Sequence, residues 1–148
     1  MPRFLAASSL FTALLLASLQ ASAVVLITED EARLPKAPKT DSRAGLTRGP
    51  GVEVVSPKAD ELVSGPVRLV VRFQPRNGAK IATDSVRLVY MANPRVDLST
   101  RVAGYVKEDG IAIPDAELPP GNYQLLVQVK DSEGRPGSEY INLKVGAK

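Results

Sequence analysis

The chain has 148 residues, of which 44% are hydrophobic, 5% aromatic and 24% charged, and its formal net charge is +3. That length holds one domain and little more, and so small a charge excess supplies almost no field to gather a polyanion. Cys, His and Trp are all absent, which excludes disulfides, thiolate nucleophiles, His general bases, His/Cys zinc sites and lipid attachment through an N-terminal Cys.

Met1-Pro2-Arg3 is a short positive start. An uncharged, Leu- and Ala-rich run from Phe4 to Leu19 follows, then Gln20-Ala21-Ser22-Ala23, with small residues where a signal peptidase reads. This three-part secretory pattern predicts cleavage after Ala23. A membrane span needs roughly 20 continuous apolar residues, whereas this run is shorter and is interrupted by Ser8, Ser9, Thr12 and Ser18. Cleavage removes one charge, Arg3, and leaves 18 basic against 16 acidic residues. No second apolar stretch remains for membrane insertion, so the reading is a bacterial periplasm or the exterior. A Cys-free domain there must be held by its core alone.

After Val24-Val25-Leu26-Ile27, the run Thr28-Glu29-Asp30-Glu31 has capping-box spacing and predicts a short helix over 28–34, ended by Pro35. From Pro35 to Gly51 the composition is Pro-, Lys-, Arg- and Gly-rich with almost nothing apolar. Residues 24–50 therefore read as an extended linker, or as an arm that orders on a partner.

From Val52 onward the apolar period is two. Val67, Leu69, Val71 and Phe73 alternate with Arg68, Val70, Arg72 and Gln74, and Val86, Leu88 and Tyr90 repeat the pattern. Val96 and Leu98 continue in phase through Val102, Gly104 and Val106; Tyr123, Leu125, Val127 and Val129 form the clearest strand; Ile141, Leu143 and Val145 form the last. Turn formers separate these runs, among them Pro75-Arg76-Asn77-Gly78, Glu108-Asp109-Gly110 and Asp131-Ser132-Glu133-Gly134. About seven short strands at this spacing predict an all-β fold, an antiparallel sandwich over 51–146. One strand changes phase: Ile111 and Ile113 share a face, but Ala116 and Leu118 fall on the other. A bulge at Pro114-Asp115, with Pro114 on a sheet edge, returns all four to the core. Phe73 is the only Phe beyond Ala23 and is placed in that core.

Leu118-Pro119-Pro120-Gly121-Asn122-Tyr123 resembles the tyrosine corner of immunoglobulin-like and fibronectin type III domains. The resemblance covers 51–146 and implies a buried Tyr123 whose hydroxyl bonds to backbone a few residues upstream. Leu125 stands where a true immunoglobulin domain has its second Cys, and the third-strand Trp is absent, so what is implied is a bacterial immunoglobulin-like module without a disulfide. Ser56-Pro57 before a strand and the Pro-Gly-x-Tyr strand are also similar to small periplasmic copper-binding sandwiches. Those hold metal through His and Met; here His is missing and Met91 is the one Met beyond Ala23. Metal handling is thus the alternative function, without its usual ligands.

Carboxylates pair at Asp60-Glu61 and Glu108-Asp109, and at Asp115 with Glu117, about 7 Å apart on one strand face, a separation that glycosidases use. Without a cleft to raise a pKa they read as solubilising and turn residues. Lys130-Asp131-Ser132-Glu133-Gly134-Arg135 alternates acids before a Gly as a calcium loop does, but calcium takes six or more oxygens, and cations flank this run. It reads as a hairpin turn. Ser-x-x-Lys, Gly-x-Ser-x-Gly and phosphate-loop patterns are absent. The expectation is no enzyme, no cofactor and no metal.

What remains is surface. With the Tyr123–Lys130 strand between those at Ser85–Met91 and Ser138–Val145, the outward residues include Val89, Met91, Leu126 and Tyr140, interleaved with Arg87, Gln124, Gln128 and Asn142. An apolar cluster with a polar rim is a partner-docking surface; the alternative is four scattered surface hydrophobes under a folded-back N-terminal segment. Arg68 and Arg72 face out of one sheet and Arg87 out of the other, so no basic patch forms for nucleic acid. The sequence thus reads as an exported, non-enzymatic interaction or structural module of the bacterial envelope that binds a protein partner through a sheet face.

Overall fold

Alternation in sequence becomes alternation in burial. The computed structural model describes residues 23–39 and 47–147; the predicted targeting segment up to Ser22, and 40–46 of the predicted linker, lie outside the described residues. The strands are β1 (Val24–Val25), β2 (Gly51–Ser56), β3 (Leu62–Ser64), β4 (Val67–Gln74), β5 (Ile81–Tyr90), β6 (Val96–Asp97), β7 (Val106–Lys107), β8 (Gly110–Glu117), β9 (Gly121–Asp131) and β10 (Pro136–Gly146). One sheet has the order β1-β8-β4-β2, with β7 also on β8; the other has the order β3-β10-β9-β5-β6. Inward side chains of both belong to one core that includes Leu69, Leu88, Ile113, Leu125 and Leu143. The fold is all-β. The sheets are mixed rather than antiparallel, because β1 runs parallel to β8 and β3 parallel to β10. These extra edge strands of two or three residues are too short to show a period, and they raise the strand number above seven.

The expected strand continuation beyond Leu98 is instead a helical turn, α2 (Ser99–Val102), followed by a 3-10 turn over Ala103–Tyr105. Leu98 and Val102 are both buried. Their spacing of four satisfies a helical repeat as well as two strand repeats, so the pair could not discriminate. Asp97 Oδ1 accepts the Ser99 N–H at 2.8 Å and Ser99 Oγ accepts the Leu88 N–H at 3.0 Å, which turns the chain locally.

Between β4 and β8 the register moves from Val67↔Ala116 to Leu69↔Ile113, so β8 holds one extra residue at Pro114-Asp115 opposite Arg68. Ile111, Ile113 and Ala116 are buried, and Leu118 packs half-buried against the core. β8 is an edge strand only around Pro114, the position predicted to lie on an edge. β7 pairs with its start and β1 with its end, and the exposed Pro114 stands in the interval between them.

The predicted linker is part of the fold as far as residue 37. β1 lies on β8, Leu26 and Ile27 are 0% and 1% exposed in the common core, and α1 (Glu29–Ala32) carries the Thr28–Glu31 capping box. In the composition of 24–50 these apolar residues are diluted by the Pro-rich stretch that follows them. Further on, the entry to β2 and the start of β10 meet backbone to backbone. A Cβ on Gly137 would collide with the Pro50 carbonyl, and one on Gly49 with the Pro136 carbonyl.

Two tyrosines fill the core beside the β8–β9 turn. Tyr123, 4% exposed, donates its hydroxyl to the Pro119 carbonyl at 2.6 Å and meets the Tyr90 ring edge-on, with centroids 5.6 Å apart. The Tyr90 hydroxyl is also buried but has no hydrogen-bond partner among the described residues. Tyr123→Phe should therefore cost about 0.5–1.5 kcal/mol, whereas Tyr90→Phe, which removes an unsatisfied group, should be neutral or stabilising. Phe73→Ala in the same core should cost about 3–5 kcal/mol. Urea unfolding of the three variants checks all three expectations.

Candidate functional site

β5, β9 and β10 are antiparallel neighbours with β9 in the middle. Tyr90, Leu125 and Ile141 turn into the core, so their strand neighbours Val89, Leu126 and Tyr140 turn out. Val89 pairs with Leu126, and Leu126 with Tyr140. These three half-buried side chains form one cross-strand row on the outer face. On one side lies the row Arg87, Gln128 and Ser138. On the other lie Gln124 and Asn142, joined by a hydrogen bond of 3.2 Å from Gln124 Nε2 to Asn142 Oδ1.

Met91 does not belong to this open surface. It is 4% exposed, because the chain beyond α1 lies along it. Ala37 N–H donates to the Met91 carbonyl at 3.2 Å, Asn93 N–H to the Pro35 carbonyl at 2.8 Å, and Lys36 bridges Ala92. The expected four-residue cluster is thus a row of three, with the fourth member under the N-terminal strap.

A charged clamp holds that strap. Arg101 of α2 donates through its two terminal nitrogens to both Glu31 oxygens, at 2.8 and 2.6 Å, and also to the Leu26 carbonyl at 2.9 Å. The Thr28 N–H donates to Glu31 Oε2 at 3.0 Å. The Arg101 guanidinium, assisted by Thr28, outweighs desolvation and lowers the Glu31 carboxyl to about 2. The capping box was legible in sequence, but its second partner, 70 residues away, was not.

The loop considered for calcium closes on itself. Asp131 Oδ1 accepts the Glu133 and Arg135 N–H groups at 3.0 and 2.9 Å, and Oδ2 accepts Arg135 Nε at 2.8 Å. Burial alone would raise the Asp131 carboxyl, but these donors and the guanidinium charge hold it below the usual carboxylate range. Its carboxylate is the staple of the β9–β10 turn. Asp115 lies in the β8 bulge and Glu117 ends the strand, where its carbonyl accepts the Leu26 N–H at 3.0 Å. Among the described residues no three His, Cys, Asp or Glu side chains gather as metal ligands.

Two of the surface clefts are built of contrasting residues. One of about 550 Å³, at the end of the sandwich by β1, is mostly apolar, with Val25, Ile27, Pro66, Leu118 and Val145 among its walls. The other, about 390 Å³, lies beside the strap and brings Lys36 and Lys39 together with Lys144. The sequence gives no local signal for this grouping, since residues 36 and 144 meet only through the fold. Compared with protein-family models, with curated proteins and with solved structures, the chain matches none.

The Glu31 clamp makes an acid-dependent prediction. A depressed carboxyl stabilises the fold fully above its ordinary value of 4.5, and the contribution is lost as pH falls towards about 2. Glu31→Gln should cost roughly 1.5–3 kcal/mol at pH 6, the range for a hydrogen bond to a charged group. The gap between variant and native chain should close as the pH is lowered from 4.5 to 2, which urea midpoints across that range measure.

Proposed function

We propose that this chain is an exported, non-catalytic, immunoglobulin-like module of the bacterial cell envelope that docks a protein partner on the outer face of β10, β9 and β5. The observation that carries the docking reading is the row Val89, Leu126 and Tyr140, an apolar centre one residue deep across three strands, with Arg87, Gln128, Ser138, Gln124 and Asn142 around it. An apolar strip inside a ring of hydrogen-bonding groups is how protein interfaces are built: the centre excludes water and the rim keeps the free surface soluble. The Tyr123–Pro119 hydrogen bond and the β5-β9-β10 adjacency support the immunoglobulin-like reading. The three-part start through Ala23 supports export. Metal handling is the weaker reading, since Met91 is buried under the strap.

A photo-cross-linking residue at position 140 tests the docking face, with one at position 72 on the opposite sheet as control. In cells, position 140 should give one discrete protein adduct and position 72 none. Leu126→Glu, at the centre of the row, should weaken that association by about 2 kcal/mol or more, roughly thirtyfold, with the urea midpoint unchanged. Equal labelling from both faces, or an adduct that survives Leu126→Glu, overturns the docking face. Export is read separately by N-terminal sequencing: the mature chain should begin at Val24, and one beginning at Met1 refutes it.

A further inference from the structure

The cleft beside the strap has a chemistry that the docking row lacks. Lys36 and Lys39 come from the chain beyond α1 and Lys144 from β10, and Asp60 is the one carboxylate on its walls. That carboxylate is already taken by Lys144 Nζ at 2.8 Å. The hydrogen bond and charge of Lys144, with a further contribution from Lys39, hold the Asp60 carboxyl below its ordinary value, which is a sign of the positive potential there. Lys36 and Lys39, on the same walls, have no ion-pair partner among the described residues. The cleft wall carries three amides, Asn122, Gln124 and Asn142, among apolar residues such as Met91 and Leu143. The bond between Gln124 and Asn142 uses one donor and one acceptor, leaving the Gln124 carbonyl and the Asn142 amino group without a partner among the described residues. A carboxamide offers a donor and an acceptor side by side, the pattern that neighbouring hydroxyls complement, while an ammonium complements a carboxylate. The volume, about 390 Å³, falls in the lower part of the range for small-ligand sites.

We propose that this cleft binds an acidic saccharide, its hydroxyls on Asn122, Gln124 and Asn142 and its carboxylate against Lys36 and Lys39. A simple anion would need only the lysines, and a neutral sugar only the amides; the juxtaposition of both sets selects a ligand that carries both groups. The cleft shares Gln124 and Asn142 with the rim of the Val89–Leu126–Tyr140 row but contains none of the row itself, and the cross-link from position 140 reads the docking face independently of the saccharide, so failure of one leaves the other standing.

The test is an NMR titration of the purified protein with glucuronate, glucose and acetate at matched concentrations, following the side-chain amide signals of Asn122, Gln124 and Asn142. Glucuronate should shift them saturably, with glucose and acetate about tenfold weaker or more. Lys36→Gln with Lys39→Gln, both exposed positions, should weaken glucuronate about tenfold, the equivalent of two exposed charge pairs, without changing the urea midpoint. Asn142→Ala should weaken glucuronate but not acetate. The proposal is overturned if glucose binds as well as glucuronate, if acetate moves the amide signals as strongly, if glucuronate gives no saturable shift, or if the double variant binds unchanged.

Discussion

Two sheets closing on one dry interior is the constraint from which the rest of this molecule follows. The chain has no Cys to cross-link them, so cohesion rests on side chains that alternate strictly enough for both inner faces to be apolar together. Leu69 and Ile113 from one sheet and Leu88 and Leu125 from the other are all 0% exposed. At roughly 25 cal/mol per Å² of apolar surface removed from water, burial on this pattern is the main favourable term of folding. One open end of the interior is closed by Leu26 and Ile27, which sequence composition alone had assigned to a linker.

The strap that brings those two residues has a second role. In crossing the end of β5 it covers Met91, which limits the apolar surface outside to a single row, and it carries Lys36 and Lys39 to the edge of a cleft built from β9 and β10. Core closure and surface chemistry therefore share one segment. Its position depends on a carboxylate, Glu31, held by a guanidinium and a backbone N–H. Asp131 applies the same device at the far turn, where buried donors make an ionised side chain tolerable.

What could be read from sequence was what is local. Strand alternation, the phase change around Pro114, the Thr28–Glu31 box and the contact from Tyr123 back to the preceding loop all lie within a few residues of themselves, and each left a pattern. What escaped was either too short to show a period, as with β1 and β3, or joined across the chain, as with Glu31 and Arg101 or Lys36 and Lys144. The turn at Ser99–Val102 was missed for a different reason. Two buried residues four apart fit both repeats, and the polar Thr100 between them was the one mark against a strand. The outer row was placed by assuming which strands are neighbours, and only Met91 misled, because coverage by a distant segment leaves no trace in a strand's own residues.

The interval of β8 between its two short partners has a consequence for how copies of this protein meet. An unpaired strand margin normally invites another chain to extend the ladder. Here Pro114 lacks the N–H that such a newcomer would need, and the additional residue beside it breaks the repeat that successive pairs would follow. That stretch of margin is thus a poor template for a growing ribbon, and the irregularity that restores the interior also blunts this edge.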